Sequence, residues 1–288
     1  MSLRSPLSLL TLTLLLLLPI GLPYASIPLD FLHYLWWSAG SEAKHGSVLS
    51  QGAKIHYTSY GQGAPILLLH GGLSNRLSWF SQLPWLVDAG RRVILLDTRG
   101  HGASSLGHSE FSYHLLAADA VRVLDALGIE RADVIGWSDG GNIALQLARD
   151  WPRRVDRIVA ISANFDPSGL LPEACRDAQT TSSGIGYWLR RLWTEAGELT
   201  GELERRIKRL WRTGPRLTAE DLRGIQVPVL VIVGERDMIS LEHTRKLASL
   251  LPRGELLVIP GGGHATPVTQ ARRVNSAIAR FFELPLPA

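Results

Sequence analysis

A serine lies between two glycines in Gly136-Trp137-Ser138-Asp139-Gly140-Gly141, after a short apolar run (Asp133 to Ile135) and before a helical pattern from Asn142 to Asp150. A strand-to-helix turn with the pattern G-x-S-x-G holds its serine in a strained conformation that presents the hydroxyl outward. The glycines allow close backbone passage, and the amino terminus of the helix favours developing negative charge. The chemistry this setting suits is nucleophilic attack by a hydroxyl. A serine is a poor nucleophile until a base takes its proton, so a histidine has to be found.

Nine histidines are present. His33 and His45 precede the expected fold, His56 falls in an outer strand, and His108, His114 and His243 have no distinctive setting. His70 opens His70-Gly71-Gly72 and His101 closes Asp97-Thr98-Arg99-Gly100-His101-Gly102; both are expected to hold loops by hydrogen bonds. His264 follows Gly261-Gly262-Gly263 after the last apolar run. That places an imidazole at the carboxyl edge of the sheet, where ligands of α/β proteins bind. The acid should lie between serine and histidine in the chain. Asp237, just past the run Val227 to Val233, is the first choice, Asp166 its rival, and Glu235 is expected to turn away. Two backbone donors, the N–H groups of Gly72 and Asp139, are placed to receive an oxyanion, with Leu73 a weaker candidate.

The elements that must position these groups are legible as a rhythm. Lys54 to Tyr60 alternates like a strand of an outer hairpin, whereas Pro65 to Leu69, Val93 to Leu96, Asp133 to Ile135, Arg157 to Ile161, Val227 to Val233 and Leu256 to Ile259 are nearly unbroken apolar runs. Such runs suit strands buried on both faces of a parallel sheet. Helical faces separate them, one through Ala117, Val121 and Leu124 and a last one through Ala271, Val274, Ile278 and Phe281. The rhythm predicts an α/β sheet with helices on both faces. It breaks once, where Trp188, Leu189, Leu192 and Trp193, then Leu203, Ile207, Leu210 and Trp211, fall at helical spacing without a strand. Opposite the second stripe lie Arg205, Arg206, Lys208, Arg209 and Arg212, expected as a solvated face, with contact to anionic lipid as the alternative.

Taken in order, His70-Gly71-Gly72, the Asp97 to Gly102 turn, the Ser138 segment, Gly234-Glu235-Arg236-Asp237 and Gly263-His264 resemble the α/β-hydrolase superfamily over roughly Ser47 to Glu283. The resemblance implies an eight-stranded, mostly parallel sheet with a small helical cap inserted at 165–224. It also implies a serine hydrolase with Ser138, Asp237 and His264 as the triad and no metal or cofactor. Haloalkane dehalogenases and epoxide hydrolases carry aspartate at the nucleophile position, so serine there disfavours those two chemistries. The Trp-Ser-Asp-Gly-Gly elbow is also similar to that of valacyclovirase-like hydrolases, in which the acid after the nucleophile suits a substrate amino group. On this reading the substrate is a small to medium carboxylic ester. Trp137, Trp188, Trp193 and Trp211 are expected near it, or else packing the cap on the core. Lactonase, thioesterase, C–C hydrolase and cofactor-free haloperoxidase activities use the same triad, and a slow-turnover binding or sensor protein is the alternative of another class.

Composition bounds the rest. The chain has 288 residues, 45% hydrophobic and 19% charged, the balance of one large globular domain. A net charge of +4 without aromatic-interleaved basic runs argues against nucleic-acid binding. Cys175 is the only cysteine, so no intramolecular disulfide forms. Arg4 precedes an uncharged stretch from Ser5 to Leu29 that contains a leucine block, the pattern of an export signal or a membrane anchor. Phe31, Leu32, Tyr34, Leu35, Trp36 and Trp37 then suit a membrane interface. The expected organisation is a leader at 1–26, an interfacial segment and linker at 27–46, and the catalytic domain at 47–285. Membrane contact would run through residues 6–37, in an exported protein that is anchored, periplasmic or secreted.

Overall fold

The computed structural model describes residues 26–171 and 201–287. The leader, Trp188 and Trp193 lie outside the described residues. Eight strands form one sheet in the order β1-β2-β4-β3-β5-β6-β7-β8. These are β1 (Ala43–Ser50), β2 (Ala53–Tyr60), β3 (Pro65–Leu69), β4 (Arg92–Leu96), β5 (Ala132–Trp137), β6 (Val155–Ile161), β7 (Val229–Gly234) and β8 (Gly254–Ile259). β1 and β2 form an antiparallel hairpin and β2 runs antiparallel to β4, while every pairing from β4 to β8 is parallel.

The parallel strands read as apolar runs because successive side chains enter different cores. Leu67, Leu69, Ile94, Leu96, Val134 and Ile158 pack on one face with the helices α3 (Tyr113–Ala126), α4 (Asp139–Asp150) and α7 (Leu241–Leu250). Ile66, Leu68, Val93, Leu95, Ile135 and Val159 pack on the other with α2 (Leu83–Asp88) and α9 (Ala271–Phe282). In α9 it is Phe282 that is buried, whereas Phe281, expected on the inner face, is only partly so. The remaining described helices are α1 (Ser26–Gly40), α5 (Gly201–Thr213), α6 (Ala219–Gly224) and the single turn α8 (Thr266–Thr269).

One correction concerns the amino-terminal half. The linker expected to close the segment 27–46 is instead the end of α1, a two-residue turn and the start of β1, whose first residue Ala43 pairs with Tyr60. Its small polar residues are those of an edge strand with exposed side chains, so composition alone resembles a loop. The interfacial segment, in turn, is a helix laid on the domain: Phe31 meets Phe80 edge-on at 5.5 Å and Trp37 contacts Tyr60 at 5.4 Å. No helix among the described residues is long and apolar enough to cross a membrane.

Of the strandless interval, α5 and α6 are described. Leu203, Ile207 and Leu210 of α5 are buried against the core. Its basic face is largely ion-paired: Arg205 and Arg206 with Glu202, Lys208 with Glu204, and Arg209 with Glu110. Such pairing leaves a face of mixed charge, which suits solvent more than anionic lipid.

Candidate active site

The turn after β5 is built by excluding side chains. A Cβ on Gly136 would run into the Gly140 carbonyl, and one on Gly140 into the Leu69 carbonyl. Helix α4 therefore starts almost on top of β3 and β5, and Ser138 takes φ 55°, ψ −120° between them. A non-glycine residue in such a conformation costs about 1–3 kcal/mol and persists only where the surroundings enforce it. Here its N–H donates to the Ile161 carbonyl (2.8 Å), and its own carbonyl accepts from Gly141 and Asn142.

His264 and Asp237 come from the loops after β8 and β7, which are parallel neighbours. Nε2 of His264 is 2.9 Å from Ser138 Oγ, and Nδ1 is 2.7 Å from Asp237 Oδ1. The Trp137 indole N–H donates to the His264 carbonyl (2.8 Å), which fixes the loop that carries the ring. Trp137, expected beside the substrate, thus has a positioning contact within the site.

Asp237 is buried, and burial by itself disfavours its charge. Hydrogen bonds from His264 and Ser162 and from the Ile239 N–H outweigh that cost and hold the carboxyl below the usual carboxylate range. Ser162 donates to Oδ2 at 2.5 Å from a left-handed backbone (φ 53°) at the carboxyl end of β6. Its only signal in the sequence was a serine directly after an apolar strand run. The rival Asp166 caps a short turn through the Ser168 N–H and forms no hydrogen bond to His264.

The loop after β3 lies against the elbow. A Cβ built on Gly71 would sit 3.2 Å from that of Ser138, and one on Gly72 would clash with the Asp139 carboxylate. Asp139 is the first residue of α4, so its N–H belongs to those that a helix leaves without an internal partner. The loop is secured by two neutral imidazoles. His70 Nδ1–H donates to the Gly71 carbonyl (2.7 Å) while Nε2 accepts from the Thr98 N–H (3.0 Å). His101 Nδ1–H donates to the Arg99 carbonyl (3.0 Å) while Nε2 accepts from the Leu73 N–H (3.0 Å). Burial lowers both pKa values, that of His101 to about 3.

The Asp139 side chain was expected to be open to a substrate amine. It is instead buried, with Tyr113 Oη–H donating to Oδ1 (2.7 Å) and the Trp211 indole N–H reaching Oδ1 and Oδ2 at 3.0 and 2.8 Å. Burial raises its pKa, against the pull of those two donors. Asn142 continues the network from Tyr113 Oη (3.2 Å) to Asn164 (2.9 Å). Trp211 thereby ties the cap helix α5 to the elbow, and a side chain on Gly72 would touch its ring. Among the described residues no cluster of three metal ligands occurs.

The sequence profile of the α/β-hydrolase fold matches residues 64–180. A non-heme haloperoxidase of Rhodococcus erythropolis is 32% identical over 269 residues, spanning 81% of this chain and 97% of that protein. The chain belongs to the α/β-hydrolase family. Among solved structures, a meta-cleavage product hydrolase from Pseudomonas fluorescens superposes with a TM-score of 0.73 at 25% identity, covering 83% of this chain and 97% of its own. An N-acyl homoserine lactone degrading enzyme does so at 0.66 and 30% identity, covering 82% and 100%. By name these relatives are a meta-cleavage product hydrolase, an N-acyl homoserine lactone degrading enzyme and a non-heme haloperoxidase, so membership alone does not select a substrate.

Proposed function

We propose that this α/β-hydrolase cleaves carboxylic esters of small to medium size through an acyl-enzyme on Ser138. The observation that carries the reading is the relay from Ser138 Oγ to His264 Nε2 (2.9 Å) and from His264 Nδ1 to Asp237 Oδ1 (2.7 Å). Ser138 Oγ attacks the ester carbonyl as His264 Nε2 takes its proton, and Asp237 stabilises the imidazolium and holds the tautomer. The carbonyl oxygen becomes an oxyanion facing the N–H groups of Gly72 and Asp139, each such donor being worth about 3 kcal/mol in the transition state. His264 then protonates the leaving alcohol. A water deprotonated by the same nitrogen attacks the acyl-enzyme, and the acid leaves with Ser138 restored.

The test is steady-state turnover of a panel of short and medium acyl esters by wild type, Ser138→Ala and His264→Ala. The reading expects wild-type turnover and a fall of roughly 10⁴-fold or more in each variant. Turnover that survives Ser138→Ala would remove the serine nucleophile. A second reading rests on the haloperoxidase relative: the same acyl-enzyme is intercepted by hydrogen peroxide instead of water, releasing a peracid. Comparing the two acceptors at equal acyl-enzyme flux separates them. The export reading of the leader belongs to the same proposal, and intact-mass analysis of protein purified from membranes tests whether the leader is retained.

A further inference from the structure

We infer that His243 is a positioning residue that ties the cap to the catalytic acid: it pins the point where the two ends of the cap meet, and that point is paired with the loop that carries Asp237. The inference rests on the reading of Asp237 as the acid of the triad.

The chain leaving β6 gathers the site within a few residues. Ser162 donates to Asp237, and Asn164 exchanges hydrogen bonds with Asn142 of the elbow helix α4, its N–H to Oδ1 (2.8 Å) and the Asn142 amide to its own Oδ1 (2.9 Å). Phe165 follows, where the cap begins. Its carbonyl accepts from the Leu217 N–H (2.9 Å), on the segment by which the cap returns to the core. Its N–H donates to His243 Nε2 (3.1 Å), and its ring stacks on the imidazole at 4.0 Å with 14° between the planes. From there the chain turns onto the acid loop in a short antiparallel pairing. Leu170 bridges Ile239, the Leu171 N–H donates to the Met238 carbonyl (2.9 Å), and the Ser240 N–H donates to the Gly169 carbonyl (2.8 Å). In the middle of that pairing the Ile239 N–H donates to Asp237 Oδ1 (3.1 Å), the oxygen that also faces His264 Nδ1.

His243 closes this arrangement from the first turn of α7, the helix that follows the acid loop. A Cβ on Gly169 would strike its ring, so the turn at 167–169 is built directly against it. Both Phe165 and His243 are buried, and a buried backbone N–H needs a partner. An apolar side chain at 243 would fill the space, but only an acceptor answers the Phe165 N–H. Burial, aided by Lys246 and opposed by Asp166, lowers the pKa of the ring, which keeps it neutral and leaves Nε2 able to accept. The proposed reaction does not use this imidazole, and its place in the fold gives it another task. Loss of the acceptor would free Phe165, and with it the pairing that holds Ile239 and the carboxylate behind His264. Displacement at the root of the cap therefore reaches the acid through the main chain. A small misplacement of a catalytic group is enough to slow a reaction.

The experiment compares the full-length wild type with two variants. His243→Phe keeps a stacked ring and removes the acceptor, whereas His243→Gln keeps an acceptor and removes the ring. His243→Leu, also without an acceptor, takes the place of the first if that variant does not fold. Each protein is followed by saturation kinetics on a short-chain ester, by denaturant unfolding, and by amide hydrogen exchange in peptides 163–171 and 235–241. His243→Phe should lower kcat about tenfold with KM within about twofold, and exchange should quicken in both peptides. His243→Gln should hold kcat within about threefold of wild type and restore protection in both. Exchange that quickens at 163–171 alone overturns the inference, because the acid loop then does not depend on the cap root. Equal losses of kcat in the two variants overturn it as well, and so does His243→Phe with lowered stability and unchanged kcat. If wild type turns over no ester, the esterase reading fails, and exchange at 235–241 still decides whether His243 holds the acid loop.

Discussion

Replacing Trp211 by phenylalanine keeps the ring and removes the N–H that reaches both oxygens of Asp139. The carboxylate then retains Tyr113 Oη–H as its side-chain donor, in a buried position against Gly72, one of the two expected oxyanion donors. Loss of a hydrogen bond to a charged group costs about 1.5–3 kcal/mol, part of which appears as looser docking of α5. The remainder bears on the reaction. Two like charges ~5 Å apart at an effective dielectric of ~20 repel by ~3 kcal/mol, and the two donors draw negative charge away from the site of the developing oxyanion. Removing one of two donors restores about half of that repulsion, which is roughly a tenfold fall in kcat. Asp139→Asn removes the charge and keeps an acceptor for the indole, so it should leave kcat unchanged or raise it. In that background Trp211→Phe should cost less than about threefold, a coupling that a double-mutant cycle reads directly. The assay is saturation kinetics on a short-chain ester, with denaturant unfolding of each variant to show that the fold is intact. Equal tenfold losses in both backgrounds, or a change confined to KM, would refute the electrostatic argument.

Ser162→Ala removes the 2.5 Å hydrogen bond to Asp237, and should lower kcat about five- to twentyfold with little change in KM; an unchanged kcat would make Ser162 irrelevant to the relay. Asp237→Asn should abolish turnover while Asp166→Asn, at a turn without contact to His264, stays near wild type; the reverse pattern would move the acid to Asp166. Stability should fall with acid through His70 and His101, because their folded pKa values are lowered and the unfolded chain takes up the proton first, near pH ~6.5. The loss should begin as pH drops through ~6.5 and grow by up to ~1.4 kcal/mol per pH unit for each histidine, for His101 until about pH 3. Denaturant unfolding from pH 7 to pH 4 checks the slope, which should flatten in His101→Gln. Gly140→Ala drives a methyl group into the Leu69 carbonyl and should prevent soluble expression or cost several kcal/mol.

The parts legible in the sequence were those in which local chemistry and local geometry coincide. Ser138 was readable because Gly136 and Gly140 admit no side chain, and His264 because a run of glycines after the last strand leaves an imidazole at the sheet edge. The sheet was readable because strands buried on both faces contain little but Val, Ile and Leu. What escaped depends on contacts between distant segments. The partners of Asp139 lie 26 and 72 residues away, so nothing near it in the chain showed that its carboxylate was already engaged. Ser162 and Asp237 are 75 residues apart and meet because β6 and β7 are neighbours. His243 had no distinctive neighbours in the chain, yet its ring stacks on Phe165 at 4.0 Å and accepts from the Phe165 N–H where the cap begins. The first residues of the edge strand β1 read as linker because an edge exposes its side chains, and exposed strands and loops draw on the same residues.

The most direct test of the proposed chemistry is covalent labelling with a fluorophosphonate, read by mass spectrometry of the labelled peptide. A hydroxyl activated by His264 should take one phosphonyl group on Ser138 and on no other serine. Labelling should be lost in Ser138→Ala and slowed by orders of magnitude in His264→Ala. Well-folded wild type that remains unlabelled, or that is labelled elsewhere while Ser138 stays intact, would contradict the account.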